Sequence, residues 1–516
     1  MPPRCRGSGC PPPSASDRDG DQVKRKLRGA AAGRWTVSVA ALVSVGFGTP
    51  AAADTLREAL GLAYQSNPTL TGARAGLRAT DEDVGIARAQ GLPDVSATGS
   101  YNEFVKRSAN AFTQPKRSLG GSATVSVPIY QGGFVRNSIR AAKARVEQGR
   151  AGLQATESDI FTQTVAAYMD VIRDTAIVDL NAGNVKVLET NLQASQDRFQ
   201  VGDLTRTDVA QSEARLAGAR ANLRTAQAQL DASRQTYLEV VGKFPDALET
   251  PPALPGLPST SEDAVDIAVT NNPDLASARQ ATRAAQYDIG VAEASRMPRL
   301  NAVGTGDYVD YRGTLAGGAA GVRQVDKTAT VSLQLQVPIY QGGGPAAQVR
   351  QAQARKSQAI ENQTAVERAV IADARVAFAR YEAALGVIDS SVSAVSANEL
   401  ALEGVRAEQS VGNRNLLDVL NAEQELLNSR STLVSAKRDA YVAGFALIAA
   451  MGRAQAKDLG LDGGALYDPV ANYRRVHGRI WDWDSDPRPK PVATSTLKEP
   501  SVSAVPTHSL VESPAK

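Results

Sequence analysis

Pro128-Ile129-Tyr130-Gln131-Gly132-Gly133 occurs a second time, letter for letter, as Pro338-Ile339-Tyr340-Gln341-Gly342-Gly343. The copies lie 210 residues apart, and other landmarks repeat around them. Val201-Gly202 returns as Val411-Gly412 and Asp208-Val209 as Asp418-Val419, also 210 residues on. Upstream, Asn67-Pro68-Thr69-Leu70 returns as Asn272-Pro273-Asp274-Leu275, and Pro93 as Pro298, at a distance of 205. Landmarks that repeat in the same order mark a tandem duplication. The 516 residues divide into a leader (1–53), repeat 1 (54–250), a Pro-rich linker (251–260), repeat 2 (261–452), a C-terminal segment (453–483) and a Pro-rich tail (484–516). The tail composition predicts disorder, and the aromatics of the segment before it, from Tyr467 to Trp483, are expected to pack on the body.

The doubled motif sits where the hydrophobic period changes. Before it, apolar and polar residues alternate: Ala329, Val331, Leu333 and Leu335 against Thr330, Ser332, Gln334 and Gln336. A period of two predicts strands at about 95–107, 118–130, 300–311 and 328–340. The Gly-rich loop between the last two has no Gly-Lys-Ser/Thr after it, so it reads as a flexible connection. After each Gln-Gly-Gly the period becomes seven: Ile139, Val146, Leu153, Ile160, then Val171, Val178, Val185, Leu192, Phe199. This is coiled-coil spacing. Long helices follow at about 134–200, 204–242, 344–410 and 414–452, and the first is a rod of about 100 Å. Helices at 55–90 and 262–296 precede the strands.

Composition removes most chemistry. The two cysteines, Cys5 and Cys10, lie in the leader, and the two histidines, His477 and His508, lie near the end. No Cys/His metal site or Ser-His-Asp triad fits the body, and neither metal nor cofactor is expected. Residues 1–53 carry eight Lys/Arg against three Asp, so the formal +3 of the whole chain becomes −2 for the remainder. A nucleic-acid binder would carry its positive charge in the body. The leader has Lys24-Arg25-Lys26-Leu27-Arg28, an apolar run from Trp35 to Phe47, and Ala51-Ala52-Ala53. That is the pattern of a secretory signal cleaved after Ala53.

Strands of about ten residues with alternating polarity suit an outer-membrane barrel. Four cannot close one, and open edges in lipid are too costly, so the barrel must be shared between chains. Two readings compete with a duct. A periplasmic coiled-coil adaptor would show one helical hairpin between split β-domains, and an enzyme lacks catalytic residues here.

The doubled Pro-Ile-Tyr-Gln-Gly-Gly, the run Val411-Gly412-Asn413-Arg414-Asn415-Leu416-Leu417-Asp418-Val419-Leu420-Asn421, and the paired Asn-Pro sites resemble the TolC family of outer-membrane channels for efflux and type I secretion. The resemblance spans about residues 54–460. It implies a mainly α protein with a transmembrane β part: a homotrimer whose twelve-stranded β-barrel continues as a twelve-helix periplasmic α-barrel. It implies an outer-membrane lipid setting, a periplasmic adaptor and an inner-membrane ABC or RND-type transporter as partners, and no catalysis.

The resemblance also places Asp418 at the pore constriction, with Asn421 where the family often has a second Asp. A narrow ring of three carboxylates favours cations, less so as pH falls. It pairs Arg414 with Thr207 and Asp208 of the neighbouring hairpin as a tip latch, with Gln409 in place of the usual aromatic. Arg414→Ser or Asp208→Ala is then expected to raise closed-state conductance. The turns Val201-Gly202-Asp203-Leu204 and Val411-Gly412-Asn413 would meet the adaptor. Pro128, Gly132, Gly133, Pro338, Gly342 and Gly343 mark strand-to-helix junctions, with Tyr130 and Tyr340 at the membrane interface.

Overall fold

The computed structural model describes residues 55–106, 114–461, 466–493 and 495–498. The leader, residues 107–113 of the first loop, and His508 lie outside them. Among the described residues, four strands form one antiparallel sheet in chain order: β1 (Asp94–Glu103), β2 (Arg117–Gln131), β3 (Arg299–Asp310) and β4 (Val325–Gln336). The register aligns Val95 with Val125, Val125 with Gly304, and Gly304 with Val331. Side chains alternate across a strand, so the sheet sorts into two faces. One carries Val95, Ala97, Tyr101, Val125, Val127, Ala302, Val331, Leu333 and Leu335; the other carries Ser96, Thr98, Ser122, Thr124, Thr305, Thr330, Ser332 and Gln334.

The two motif copies end differently. β2 is an inner strand: Pro128 and Tyr130 pair with Asn301 and Leu300 of β3 across a bulge at Ile129. β4 is an edge strand and stops at Gln336, short of the expected 340, because within one chain nothing receives Pro338–Tyr340. Gly133 and Gly343 then start the long helices with φ of 87° and 79°, a left-handed bend that glycine tolerates.

Those helices are α3 (Phe134–Gln200) and α7 (Gly344–Ser410), each 67 residues and free of internal proline beyond the first turn. Each folds back on a shorter partner, α4 (Arg206–Val241) or α8 (Leu416–Ala450). No helix among the described residues is long and apolar enough to cross a membrane.

The helix expected at 55–90 is two helices, α1 (Leu56–Ser66) and α2 (Pro68–Ala89), and the one at 262–296 is α5 (Ser261–Asn271) and α6 (Pro273–Glu293) followed by a short 3₁₀ turn. Proline forces the preceding Asn67 and Asn272 into extended conformation, which breaks the helix there. Each Asn turns the break into a joint. The Asn67 Oδ1 accepts from the N–H groups of Thr69 and Leu70, while its Nδ2 donates to the Val240 carbonyl at the end of α4 (3.0 Å). Asn272 repeats both roles, capping at Asp274 and Leu275 and donating to the Ala450 carbonyl of α8 (3.2 Å). Asn67→Ala loses a cap and a cross-helix bond, about 2 kcal/mol together. Asn67→Asp keeps the cap but sets a buried carboxylate oxygen against the Val240 carbonyl, so it should lose at least as much. Thermal melts followed at 222 nm check the order.

The main core lies mid-rod, where Phe161, Tyr168, Tyr237, Phe445 and Met451 are buried together. The linker's Leu254 and Leu257 pack on it, and so does Tyr467, over which Arg74 lies at 5.1 Å. The α7/α8 hairpin is joined to α3 at this level by Arg438, which pairs with Asp170 at 2.9 Å.

One buried acid makes this region pH-sensitive. Burial pushes the Glu157 carboxyl up, against the Ala456 N–H at 2.5 Å and the nearby Arg74, while Asp458 pushes it further. A carboxyl raised by folding contributes stability below its unfolded value, and that contribution is lost as pH rises through the folded value. Glu157→Gln keeps an acceptor for Ala456 without the buried charge. Its melting midpoint should exceed that of the unmodified chain at pH 8, with the difference shrinking at pH 5.

Candidate functional site

The end of the rod far from the sheet is made by two matching turns. Gly202 and Gly412 have φ of 85° and 83°, and Asp203 and Asn413 donate their N–H groups back to the carbonyls of Arg198 and Glu408 (both 2.9 Å). Val201, Gly202, Asp203, Val411, Gly412 and Asn413 are exposed and Leu204 is half-buried. The tip thus presents two exposed valines beside two glycines with no side chain above the backbone.

The residues expected to latch the tip are used otherwise within one chain. Asp208 closes the N-terminus of α4: its carboxylate accepts from the Thr205 N–H (2.9 Å) and hydroxyl (2.8 Å), which holds the carboxyl below its usual range. Thr207, beside it, is exposed. Arg414 binds Glu408 across its own turn (2.7 Å), with Asp418 at 3.9 Å, and both acids favour its charged form, Glu408 the more. Arg414 and Asp208 therefore form no pair inside the protomer. Gln409 is half-buried, and its backbone carbonyl accepts from the Gly412 N–H (3.0 Å).

A different set of residues joins the hairpins. Asn421, expected to ring the pore beside Asp418, accepts a hydrogen bond within the protomer from Arg215 of α4 (2.7 Å). Two residues on, Glu423 is 7% exposed. Its carboxylate accepts from Asn191 of α3 (3.1 and 3.3 Å) and pairs with Arg406 of α7 (2.8 Å), so one acid connects three helices. Just before them Leu420 enters a cluster with Leu188, Leu216 and Ala219 of the other hairpin. Arg215, Asn191 and Glu423 had a sequence signal only in the last case: Val419, Glu423 and Leu426 fall at i, i+4 and i+7, so an acid occupies the buried stripe of α8. Asp418 stands at the start of α8, its N–H bonded to the Asn415 side chain, with its own side chain 35% exposed. No cluster of His, Cys, Asp or Glu among the described residues could hold a metal.

A polar-and-apolar sheet with two open edges, carried on paired helical rods, is the protomer of a shared membrane duct. The chain belongs to the outer membrane efflux protein family, whose pattern matches residues 59–243 and 264–453, one match to each repeat. It is similar to the outer membrane efflux protein BepC of Brucella suis, 34% identical over 429 residues that cover 83% of this chain and 92% of that protein. The outer membrane protein TolC of Escherichia coli is 26% identical over 439 residues, covering 83% and 88%. Among solved structures, VceC of Vibrio cholerae superposes with a TM-score of 0.66 at 22% identity, covering 77% of this chain and 96% of that one. Channels of this family are homotrimers of the Gram-negative outer membrane that work with a periplasmic adaptor and an inner-membrane transporter. The four-stranded sheet is one protomer's share of the barrel.

Proposed function

We propose that this chain is a passive exit duct, without catalysis of its own, whose resting state is held shut by α8. The observation that carries the reading is the grip on α8 at three points within about one turn, Leu420, Asn421 and Glu423, by residues of the other hairpin. Opening the tip would draw the α7/α8 hairpin away from α3 and α4, and these are the contacts it must give up. The Arg438–Asp170 pair lies fifteen residues beyond Glu423 along α8, and it is proposed to stay as the fixed end of the movement. Asp418 is proposed as the charge at the narrowest point and Asn421 as part of the tie. The exposed turns at 201–204 and 411–413 are proposed to receive the adaptor, which would strain the ties from below.

As a passive duct, the chain is proposed to leave the choice of cargo to the inner-membrane pump. Either small toxic compounds or secreted proteins fit. Deleting the gene and comparing drug sensitivity with the secreted proteome separates the two. A strain unaltered in both would contradict the exit-duct reading.

A further inference from the structure

The last described part of the chain carries a feature that a duct and its gate leave unused. A short helix, α9 (Ala471–Val476), lies along α2 and runs the same way. Near its start Asn472 donates to Asp81 (2.8 Å), and past its end the His477 carbonyl accepts from Arg88 (2.9 Å). Arg88 is one residue from the end of α2, and the chain then passes Gly91, which lies against Val135 at the start of α3, and enters β1. The chain therefore leaves α9 heading for the sheet, level with the strand-to-helix junction where Tyr130 stands.

There it reverses. The Asp484 N–H donates to the Trp481 carbonyl (3.1 Å), Arg479 pairs with Asp484 (3.0 Å), and Arg475 grips both oxygens of Asp486 (2.5 and 2.7 Å). Residues 484–486, expected to begin a disordered tail, are thus clamped back onto α9. At the tip, Ile480, Trp481 and Trp483 are 71%, 73% and 86% exposed, although the sequence led us to expect these aromatics packed on the body. Two indoles and an isoleucine are thus held out by a double ion-pair clamp, at a turn reached by a chain that leaves α9 toward the sheet.

We propose that this turn is an interfacial anchor, with Ile480, Trp481 and Trp483 seated in the periplasmic leaflet of the outer membrane. Tryptophan favours that depth because its ring prefers the apolar boundary while its N–H stays hydrated. The clamp neutralises Asp484 and Asp486 and fixes the turn in advance, so little ordering is left to be lost on insertion. Asp482, between the indoles, lies at headgroup depth, and Arg488 and Lys490 follow as partners for anionic lipid phosphates. The inference rests on the sheet lying in the bilayer, so the test controls for that separately.

Trp35, Trp481 and Trp483 are the three tryptophans of the chain, and since Trp35 falls in the expected leader, a Trp35→Phe background leaves the two at the turn as the sole indole emitters whether or not the leader is removed. The trimer is reconstituted into vesicles of phosphatidylethanolamine and phosphatidylglycerol with or without brominated acyl chains. Bromines placed high on the chains should cut the emission about twofold, and bromines near the chain ends less. Emission unchanged by bromolipid overturns the proposal in either form: quenched by acrylamide, the turn lies in water; shielded from both, a neighbouring protomer covers it. Leu333→Trp in a Trp35→Phe, Trp481→Phe, Trp483→Phe background reports on the sheet. If that probe also escapes bromolipid, the failure lies with the membrane reading instead.

Discussion

Glu423→Ala is expected to raise the resting conductance of the trimer in planar bilayers more than any other single substitution at the tip. Glu423 is buried where α3, α7 and α8 meet, and of its two partners Asn191 lies on the other hairpin. A hydrogen bond to a charged group contributes about 1.5 kcal/mol at the low end of its range, which suits a site whose Arg406 partner is half exposed. Three protomers that open together lose it three times, about 4.5 kcal/mol, or about a thousandfold in the ratio of closed to open channels. Asn421→Ala removes the more exposed Arg215 tie, at about 0.5–1 kcal/mol per protomer, so its effect should be smaller. Arg215→Ala should match Asn421→Ala, and the double variant should add nothing further. Arg414→Ser breaks a pair inside one hairpin, so its effect on resting conductance should fall below that of Glu423→Ala. Equal conductance for Glu423→Ala and the unmodified channel would remove Glu423 from the gate.

The second large effect concerns assembly. Gly452 ends α8 with φ of 72°, and a Cβ there would stand 2.5 Å from the Asn271 carbonyl oxygen and 2.8 Å from the Asn272 Cα. Both obstacles are backbone, at the joint where Asn272 ties α6 to α8, so neither can swing aside. Left-handed strain and overpacking together cost about 2–5 kcal/mol. Gly452→Ala should therefore strip most heat-resistant trimer from outer-membrane fractions. Gly412→Ala has a similar φ of 83° but open space around it, so about 1–2 kcal/mol is expected and trimers should persist. Comparable trimer yields for the two variants would contradict the packing argument.

What the sequence revealed and what it concealed follow one physical line. Period-two strands, sevenfold helices, and Val-Gly turns are encoded within a few residues of each other, so the duplicated architecture is readable from the Pro-Ile-Tyr-Gln-Gly-Gly copies outward. The helix breaks at Asn67 and Asn272 were equally local, since a following proline restricts the residue before it. The tie between Arg215 and Asn421 was not readable, because its partners are 206 residues apart on helices rich in Ala, Gln and Ser. Which of two neighbouring polar residues faces the other hairpin there depends on the rotation of α8 about its axis, and sequence spacing does not set that to within one residue. Asp418 and Asn421 are thus both expected on one ring, and the bond of Asn421 to Arg215 of α4 is a contact that spacing does not show. The C-terminal tryptophans misled for a different reason: aromatic content signals burial in water and exposure at a membrane edge alike.

The claim on which everything else depends is that one protomer's sheet is an arc of a barrel closed by its copies. The edges that must meet are β1 of one copy and β4 of the next. With both native cysteines confined to the leader, cysteine pairs can be introduced on a clean background. A set combining Val95→Cys or Ala97→Cys with Val331→Cys, Leu333→Cys or Leu335→Cys samples the registers on the apolar face. Oxidation in intact outer membranes should give at least one pair that runs as a covalent trimer on non-reducing denaturing gels, with nothing larger. Monomers from every pair, or ladders that continue past three, would contradict a closed barrel of three protomers.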